Sequence, residues 1–287
     1  MAIRTGLNTR IAFGEESAYG TEVARTVTQR LISTTLQRKV TLEPLPDLVS
    51  ISGTGRVRGV KFQSMERVSG EQRAVACYEG NALGILLKHA LGSVATTGVG
   101  PYVHTHTVGD ALPTGLSSEL QRGMDGSAAS TAEEFLGGRV SKLSLECDPG
   151  KAMEVIYTLL CKTGNARASQ SLPALSATQY PVLHHHAGTV SWNGNTYTLA
   201  KFGLSIDNKL PEIHELGSQT ITEPPIVDFA DIYLEAEIIS RNDTAYTDQL
   251  LGTQADLTIT FTDTVNTKTM AITLHNAVME ESNEAIS

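Results

Sequence analysis

Aromatic residues are scarce in this 287-residue chain: they make up 5% of it, and Trp192 is the single tryptophan. Recognition of sugars relies on clustered aromatic rings, so the composition argues against a sugar-binding role. Cysteine is scarce as well. Cys77, Cys147 and Cys161 are widely spaced and form no CxxC pattern, which predicts reduced, buried cysteines in a protein made in the cytosol.

Positive charge is also in short supply, because 22 Lys and Arg stand against 31 Asp and Glu, for a net charge of −9. A surface that binds nucleic acid tightly needs a basic excess, so this balance argues against one. The longest apolar stretch lies within 82–91, contains Lys88 and is too short to cross a bilayer. Residues Met1–Arg4 include no apolar segment, which predicts no secretory signal.

Threonine, serine and glycine are abundant instead, with 33, 22 and 25 residues. Threonine favours strands, whereas glycine and serine favour turns. In the last third of the chain Leu257, Ile259 and Phe261 alternate with Thr258 and Thr260. This period-two pattern predicts antiparallel sheet with one face in water.

Local signals predict individual elements. Asn81 can cap a helix over Ala82–Leu91, whose apolar residues recur at helical spacing. Asp148–Gly150 and Asn193-Gly194 lie between alternating runs and predict two hairpins. A change in the apolar phase predicts a bulge near Ala200–Gly203.

A second pair of runs, Arg56–Gln63 and Glu71–Tyr78, predicts two strands separated at Gly70. Together these elements indicate a mainly β protein. We expect two packed antiparallel sheets, a sandwich or barrel, flanked by one α-helix and carrying long arms and loops.

The domain organisation follows from where periodicity is absent. Residues 1–55 are predicted to be an extended N-terminal arm with a first turn, and 56–287 a β-sandwich domain with an internal connector near 163–181. Further irregular segments are too long for an isolated monomer, so we expect them to become ordered on neighbouring subunits. These segments are 92–100, 121–137 and 212–228.

Catalytic motifs are absent from the sequence: it has no GxSxG, P-loop, GxGxxG or HExxH pattern. The run His184–His186 favours a solvated strand entry over a metal site, because adjacent strand residues point to opposite faces. His104 and His106 share a face and fit an ordinary edge strand. The acidic pairs at 15–16, 133–134 and 280–281 are interpreted as solvated. We therefore expect no enzyme, no metal and no cofactor.

Several stretches, taken in order, resemble one family. Residues 13–21 read Phe-Gly-Glu-Glu-Ser-Ala-Tyr-Gly-Thr, and 83–92 form a helix pattern closed by Leu-Gly. Residues 101–107 match a Tyr-x-His strand, although Thr107 departs from its usual large residue. Residues 135–145 carry a Gly-x-x-Val-x-x-Leu-x-Leu strand, and 256–274 a closing hairpin. This order resembles the tail tube proteins of long-tailed bacteriophages.

The resemblance implies a structural virion protein that forms rings, usually hexamers, stacked into a hollow tail tube. It implies the tape measure protein inside the tube and tail-tip, terminator or neck proteins at its ends. DNA would be only a passing cargo during ejection, and no membrane is involved. The protein would be made and assembled in the bacterial host cytoplasm and reside in the phage tail. The family brings no catalytic or metal residues with it.

Two other interpretations stay open at this point. One is a β-sandwich module of a tail tip or fibre that recognises host glycans, with Trp192 as the stacking residue. The other is a metal-dependent hydrolase that uses His184 and His186.

The distribution of charge suggests how subunits would meet. Residues 1–75 carry 11 basic and 7 acidic side chains, whereas 207–287 carry 3 and 15. We predict that the basic segment docks on acidic surface of adjacent subunits, and that the acidic segment supplies that surface or faces the tube lumen. The alternative is that these charges are only solvated. The predicted interface residues are Arg25, Arg30, Arg38, Lys39, Asp231, Glu235 and Glu237.

Overall fold

The computed structural model describes residues 9–44, 61–122, 132–167, 172–239 and 251–278. This part of the chain is mainly antiparallel β-structure with one α-helix, as the sequence predicts. The strands are β1 (Arg10–Glu15), β2 (Val27–Arg30), β3 (Ser33–Thr34), β4 (Gln37–Pro44), β5 (Lys61–Val75), β6 (Gly92–Thr97), β7 (Val103–Val108), β8 (Leu116–Gln121), β9 (Ala132–Cys147), β10 (Glu154–Cys161), β11 (Thr163–Arg167), β12 (Ala187–Trp192), β13 (Asn195–Asp207), β14 (Asp231–Ile239), β15 (Gln254–Asp263) and β16 (Lys268–Val278). The helix α1 spans Leu83–Leu91, and His184–His186 form a single 3₁₀ turn.

The long strand β9 joins the two parts of the sheet. Its first half pairs with β8 and β11, and its second half pairs with β10 and β13. On the side of the first half, β1 and β2 complete the sheet through β8. On the other side the hairpin β15–β16 extends it through β12.

Six strands follow one another without interruption through the second half of β9. Their order is β14-β13-β9-β10-β5-β4, and every neighbouring pair is antiparallel. Among the described residues, β14 and β4 each pair with a single strand, so they form the two open edges of this run.

The core lies between the two parts of the sheet and under α1. Tyr157, Phe13, Phe135, Phe202 and Phe261 are its largest fully buried side chains. Phe202 and Phe261 meet edge to face with ring centroids 5.4 Å apart. The three cysteines are free and buried, as predicted.

The helix begins close to the predicted position. The Asn81 side chain accepts a hydrogen bond from the backbone N–H of Leu83 at 3.0 Å. Gly92 ends the helix with φ = 106°, a left-handed conformation that glycine adopts without strain. Buried Asn208 donates to the carbonyls of Ala90 and Val140, both at 3.0 Å, and so attaches the last turn of α1 to β9.

The N-terminal region is more ordered than its sequence suggests. Four strands lie within 10–44, where the sequence lacks periodicity, and Ile11 and Phe13 are fully buried in the core. The middle of β1 is buried on both faces, and its two edges are paired with β2 and β8. An alternating pattern is therefore absent. The division into an arm (1–55) and a domain (56–287) stays a prediction.

The break predicted at Gly70 is wrong, because β5 runs through it from Lys61 to Val75. Gly70 instead allows the backbone at Leu36 to pass close to β5, because a Cβ atom at position 70 would lie 2.3 Å from the Cα atom of Leu36. Residues 56–60 of the first predicted strand lie outside the described residues.

The two hairpins predicted from turn signals are confirmed as β9–β10 and β12–β13, and the register of β13 against β14 shifts between Leu199 and Lys201. The segments predicted as irregular differ in outcome. Most of 92–100 belongs to the hairpin β6–β7, and 132–137 to β9, whereas 212–228 contains no strand. The first residues of 163–181 form β11.

Candidate assembly surfaces

The strand β14 gives one open edge an acidic character. Glu235 and Glu237 are exposed and lie on the outward face of the sheet, the face turned away from the core. Tyr233, which is 58% exposed, lies on the same strand between Asp231 and Glu235. Asp231 forms an ion pair with Lys209 at 2.9 Å. The strand is preceded by exposed apolar side chains, among which Phe229 is 89% exposed. This edge therefore combines negative charge with apolar surface.

The strand β4 gives the opposite edge a basic character. Arg38 and Lys39 are exposed, and Arg38 pairs with Glu66 at 2.8 Å. Glu66 is itself buried and also accepts hydrogen bonds from Thr163 and from the backbone of Gly164. Exposed apolar side chains accompany the basic ones on β4 and β5, namely Val40, Leu42, Phe62 and Met65.

The other two predicted interface residues lie elsewhere. Arg25 is 7% exposed, and its guanidinium forms ion pairs inside its own subunit with Glu22 at 2.9 Å and with Glu134. Glu119, fully buried, lies 4.0 Å from it. Arg30 is exposed at the end of β2, opposite Arg10. The structure thus places Arg38 and Lys39 on one sheet edge, the acidic residues on the other, and Arg25 in the interior.

The outward face of the six-strand run carries an excess of negative charge. Ion pairs join Arg73 to Glu154 and Lys142 to Asp207 across neighbouring strands. From β14 to the part of β5 that pairs with β10, seven carboxylates in register on this face stand against three cations, and Lys39 and Arg67 add two cations at the β4 edge. The carboxylates belong to Glu71, Glu146, Glu154, Asp207, Asp231, Glu235 and Glu237, and the first three cations to Arg73, Lys142 and Lys201.

The turn at Glu16–Thr21 is built around a buried carboxylate. Glu16 is 7% exposed and accepts hydrogen bonds from the backbone N–H groups of Gly20 at 2.6 Å and Gly137 at 2.8 Å. The Ser117 hydroxyl donates to it at 2.9 Å and accepts from the backbone N–H of Val23 at 3.1 Å. The carboxylate thus connects the turn, β8 and β9.

Next to this carboxylate, the ring of Tyr19 lies close to two cations. Lys162 Nζ is 5.6 Å and the Arg139 guanidinium 6.0 Å from its centroid, distances at which a cation is attracted to an aromatic face. Gly137 has φ = 65°, and a Cβ atom there would lie 3.0 Å from the Tyr19 ring. Burial raises the pKa of the Tyr19 hydroxyl well above its usual value.

The interpretation of the acidic pairs as solvated is wrong where the structure describes them. Besides Glu16, Glu15 contacts His89 at 3.2 Å and Lys88 at 2.7 Å. The hydrogen bond from His89, followed by that from Lys88, lowers the pKa of Glu15 to about 2 against the burial that raises it. Glu134 pairs with Arg25 as above, and Glu133 pairs with Arg122 at 3.0 Å. The pair at 280–281 lies outside the described residues.

Within the run His184–His186, His184 and His186 contact residues from other parts of the subunit. His184 Nε2 lies 2.9 Å from the carbonyl oxygen of Ala200, and His186 stacks on Tyr78 with centroids 6.1 Å apart. Within the described ranges, no three potential metal ligands are grouped together. Trp192 is 4% exposed and packs in the core, so it offers no ring face to a glycan.

Two open strand edges of opposite charge are surfaces of the kind through which copies of a structural subunit assemble. A family model described as phage tail tube protein matches residues 6–287. The chain therefore belongs to the phage tail tube protein family, a family of structural virion proteins located in the phage tail. No curated protein matches the chain. No helix in the described part of the chain is long and apolar enough to cross a membrane.

Proposed function

We propose that this protein forms closed rings by head-to-tail pairing of the acidic β14 edge with the basic β4 edge of the next subunit, and that the rings stack into the tail tube. The observation that carries the proposal is the opposite charge of the two ends of one six-strand run. Contacts between unlike surfaces generate rings when the rotation closes. They also cover edges that would otherwise invite uncontrolled pairing.

Strand direction supports this pairing. Because the run has six strands and every neighbouring pair is antiparallel, β14 and β4 run in opposite directions. Joining β14 of one subunit to β4 of the next would continue the antiparallel order through the whole ring.

The register also supports closure. Glu235 lies in the row of Val75, and Lys39 lies in the row of Arg67, eight residues further along β5 and on the same face. Pairing of these two residues shifts the chain by roughly 26 Å along the strands and about 29 Å across six of them, at spacings of about 3.3 and 4.8 Å. The resulting strand tilt is about 42°, within the range of about 35–45° for sheets that close on themselves.

The outward face of the run would then line the lumen of the tube. Its excess of carboxylates would keep the DNA duplex from binding to the wall during ejection, because tight phosphate binding requires cations. The tape measure protein would occupy this lumen before ejection. Hexameric rings, and tail-tip, terminator or neck proteins at the tube ends, complete the proposed assembly.

Charge reversal of the two edges, followed by negative-stain microscopy, tests the pairing. We expect rings or tubes from the unmodified protein. We expect few from an acidic-edge variant, Glu235→Lys with Glu237→Lys, or from a basic-edge variant, Arg38→Gln with Lys39→Glu. The Arg38→Gln change keeps a hydrogen-bond donor for Glu66. The variant that combines all four changes again has edges of opposite charge, so assembly should return.

Asp110→Lys with Glu215→Lys is the matched control, since both residues are exposed and lie on neither edge. The pairing is rejected if the acidic-edge variant and this control assemble equally well. Failure of the four-change variant to recover, while circular dichroism shows that it is folded, would also reject it. A strictly monomeric unmodified protein at high concentration, even with tail tips as nuclei, would reject the tube itself.

A further inference from the structure

The connector between β13 and β14, residues 208–230, makes its last contacts with the interior shortly before the acidic strand β14 begins. Asn208 and Ile221 are buried, and the Gln219 backbone carbonyl accepts from the N–H of Glu66 at 2.8 Å. Pro224 is the last buried residue of the connector, 225–229 are exposed, and the ladder of β14 with β13 begins at Asp231 opposite Asp207. The path of the exposed segment between Pro224 and Asp231 therefore depends on what holds Pro224.

Arg139 holds Pro224 in place. Its guanidinium donates to the Pro224 carbonyl at 2.7 Å and to the Glu223 carboxylate, and it reaches the Thr114 carbonyl at 3.4 Å. Arg139 is 7% exposed, so its charge is largely removed from water and these partners are not readily exchanged for solvent.

The Glu16–Thr21 turn limits where this guanidinium can lie. The Tyr19 ring lies against it, and the ring is kept in place by Gly137, where a side chain would collide, and by Lys162, whose Nζ lies 5.6 Å from the ring centroid. Glu16 binds the backbone of both Gly20 and Gly137 and so fixes the ring's support. Contacts thus run from the turn through Arg139 to the approach of β14.

We propose that the Glu16–Thr21 turn is a positioning element for assembly: through Tyr19 and Arg139 it fixes Glu223 and Pro224, so that the exposed apolar segment 225–229 beside the acidic edge is presented to the next subunit in one position. A surface ordered before it docks loses less conformational entropy on association. The ion pairs of Lys209 with Asp228 and Asp231 are exposed and contribute little to this ordering. This inference rests on the proposed function.

Hydrogen exchange of the monomer tests the first part of the proposal. Glu223→Ala removes one partner of Arg139 from a side chain that is 47% exposed, and Tyr19→Leu removes the ring. We expect both to raise amide exchange in 223–235 at least about threefold and to leave exchange in β9 and β10 unchanged. The contacts of Arg139 with Tyr19, Glu223 and Pro224, which we call the clamp, would open as a local unit. Tyr19→Phe keeps the ring and should restore the protection.

Glu212→Ala is the matched control, because it breaks a comparable exposed pair with Arg67 at the far end of the connector. Exchange in 223–235 that is the same in Glu223→Ala, Tyr19→Leu and the unmodified monomer would overturn the proposal.

The second readout is the protein concentration at which rings first form. We expect it to rise several-fold for Glu223→Ala and Tyr19→Leu but not for Tyr19→Phe or Glu212→Ala, at melting temperatures within a few degrees of one another. Raised exchange without any change in this concentration would show that the clamp does not serve assembly. If the unmodified protein forms no rings, the proposed function fails, and the exchange data still decide whether the clamp exists.

Discussion

The carboxylate of Glu16 accepts a hydrogen bond from the backbone N–H of Gly137, 121 residues further along the chain, at 2.8 Å. With Gly20 and Ser117 it makes three such bonds while almost fully buried. A glutamine at position 16 would turn an N–H₂ group toward at least one of these donors. We expect Glu16→Gln to lower the free energy of unfolding by about 2 kcal/mol, measured by urea denaturation of the monomer. Exposed Ser17→Ala is the control, and equal stability of the two variants would contradict this role.

Two glycines with similar backbone angles allow strain and crowding to be separated. Gly137 (φ = 65°) and Gly150 (φ = 75°) would both strain an alanine, but a Cβ at Gly137 would meet Lys162 Cβ at 2.8 Å, whereas nothing lies within 4 Å at Gly150. Left-handed strain costs about 1–2 kcal/mol in both, and crowding adds about 1–3 kcal/mol at Gly137 only. Thermal unfolding should therefore show the larger loss for Gly137→Ala; equal losses would mean that Lys162 moves aside.

The buried guanidinium of Arg25 predicts a difference between two arginines of the N-terminal region. Arg25→Gln removes the cation that contacts Glu119 and Glu134 in the interior, and we expect a loss of about 3 kcal/mol or more. Arg30→Gln changes an exposed side chain and should stay within about 0.5 kcal/mol. Chemical denaturation of both variants measures this. A small effect at Arg25 would mean that its role is at the subunit surface after all.

The contact between His89 and Glu15 predicts the acid sensitivity of the subunit. Burial lowers the pKa of His89 below its usual 6.5, against the opposing effect of Glu15. As the pH falls, the unfolded chain therefore binds a proton at His89 before the folded chain does. The free energy of unfolding falls as the pH drops below about 6.5. The contribution of Glu15 is complete above pH 4.5 and is lost as the pH falls toward 2.

Melting temperatures at pH 7.5 and 5.5 test the histidine effect. We expect His89→Gln to flatten this part of the profile and exposed His185→Gln to leave it as in the unmodified protein. A steep profile in His89→Gln would assign the acid sensitivity to another group.

Salt provides a test of the charged edges. Exposed charges interact over a Debye length of about 10 Å at 0.1 M salt and about 3 Å at 1 M. We expect assembly, followed by light scattering, to weaken as salt rises, and the acidic-edge variant to lose most of that dependence. Equal tube yield at low and high salt would mean that the exposed apolar residues of the two edges, and not their charges, drive the contact.

The sequence predicts elements whose signals are local. The Asn193-Gly194 turn, the Asp148–Gly150 turn and the helix after Asn81 each need only a few neighbouring residues, and the structure confirms all three. The strand β1 was missed because its partner β8 lies about 100 residues away, and a strand buried on both faces shows no alternation.

The candidate surfaces could be predicted only in part. Exposed charges at Arg38, Lys39, Glu235 and Glu237 are visible in the sequence, but their placement on opposite edges depends on the order of six strands. Composition likewise gives no sign that the carboxylates of Glu15 and Glu16 have different surroundings. Their neighbouring backbone positions direct one carboxylate toward α1 and the other into the interior, where its partners come from distant parts of the chain.

The unlike charges of β14 and β4 have a consequence for the whole particle. An edge of one sign repels its own copy, so a symmetric, back-to-back contact through β14 or through β4 is disfavoured. A ring closed by head-to-tail contacts has two different faces, and a stack of such rings has a direction. One chain would then suffice to give the tail two chemically distinct ends.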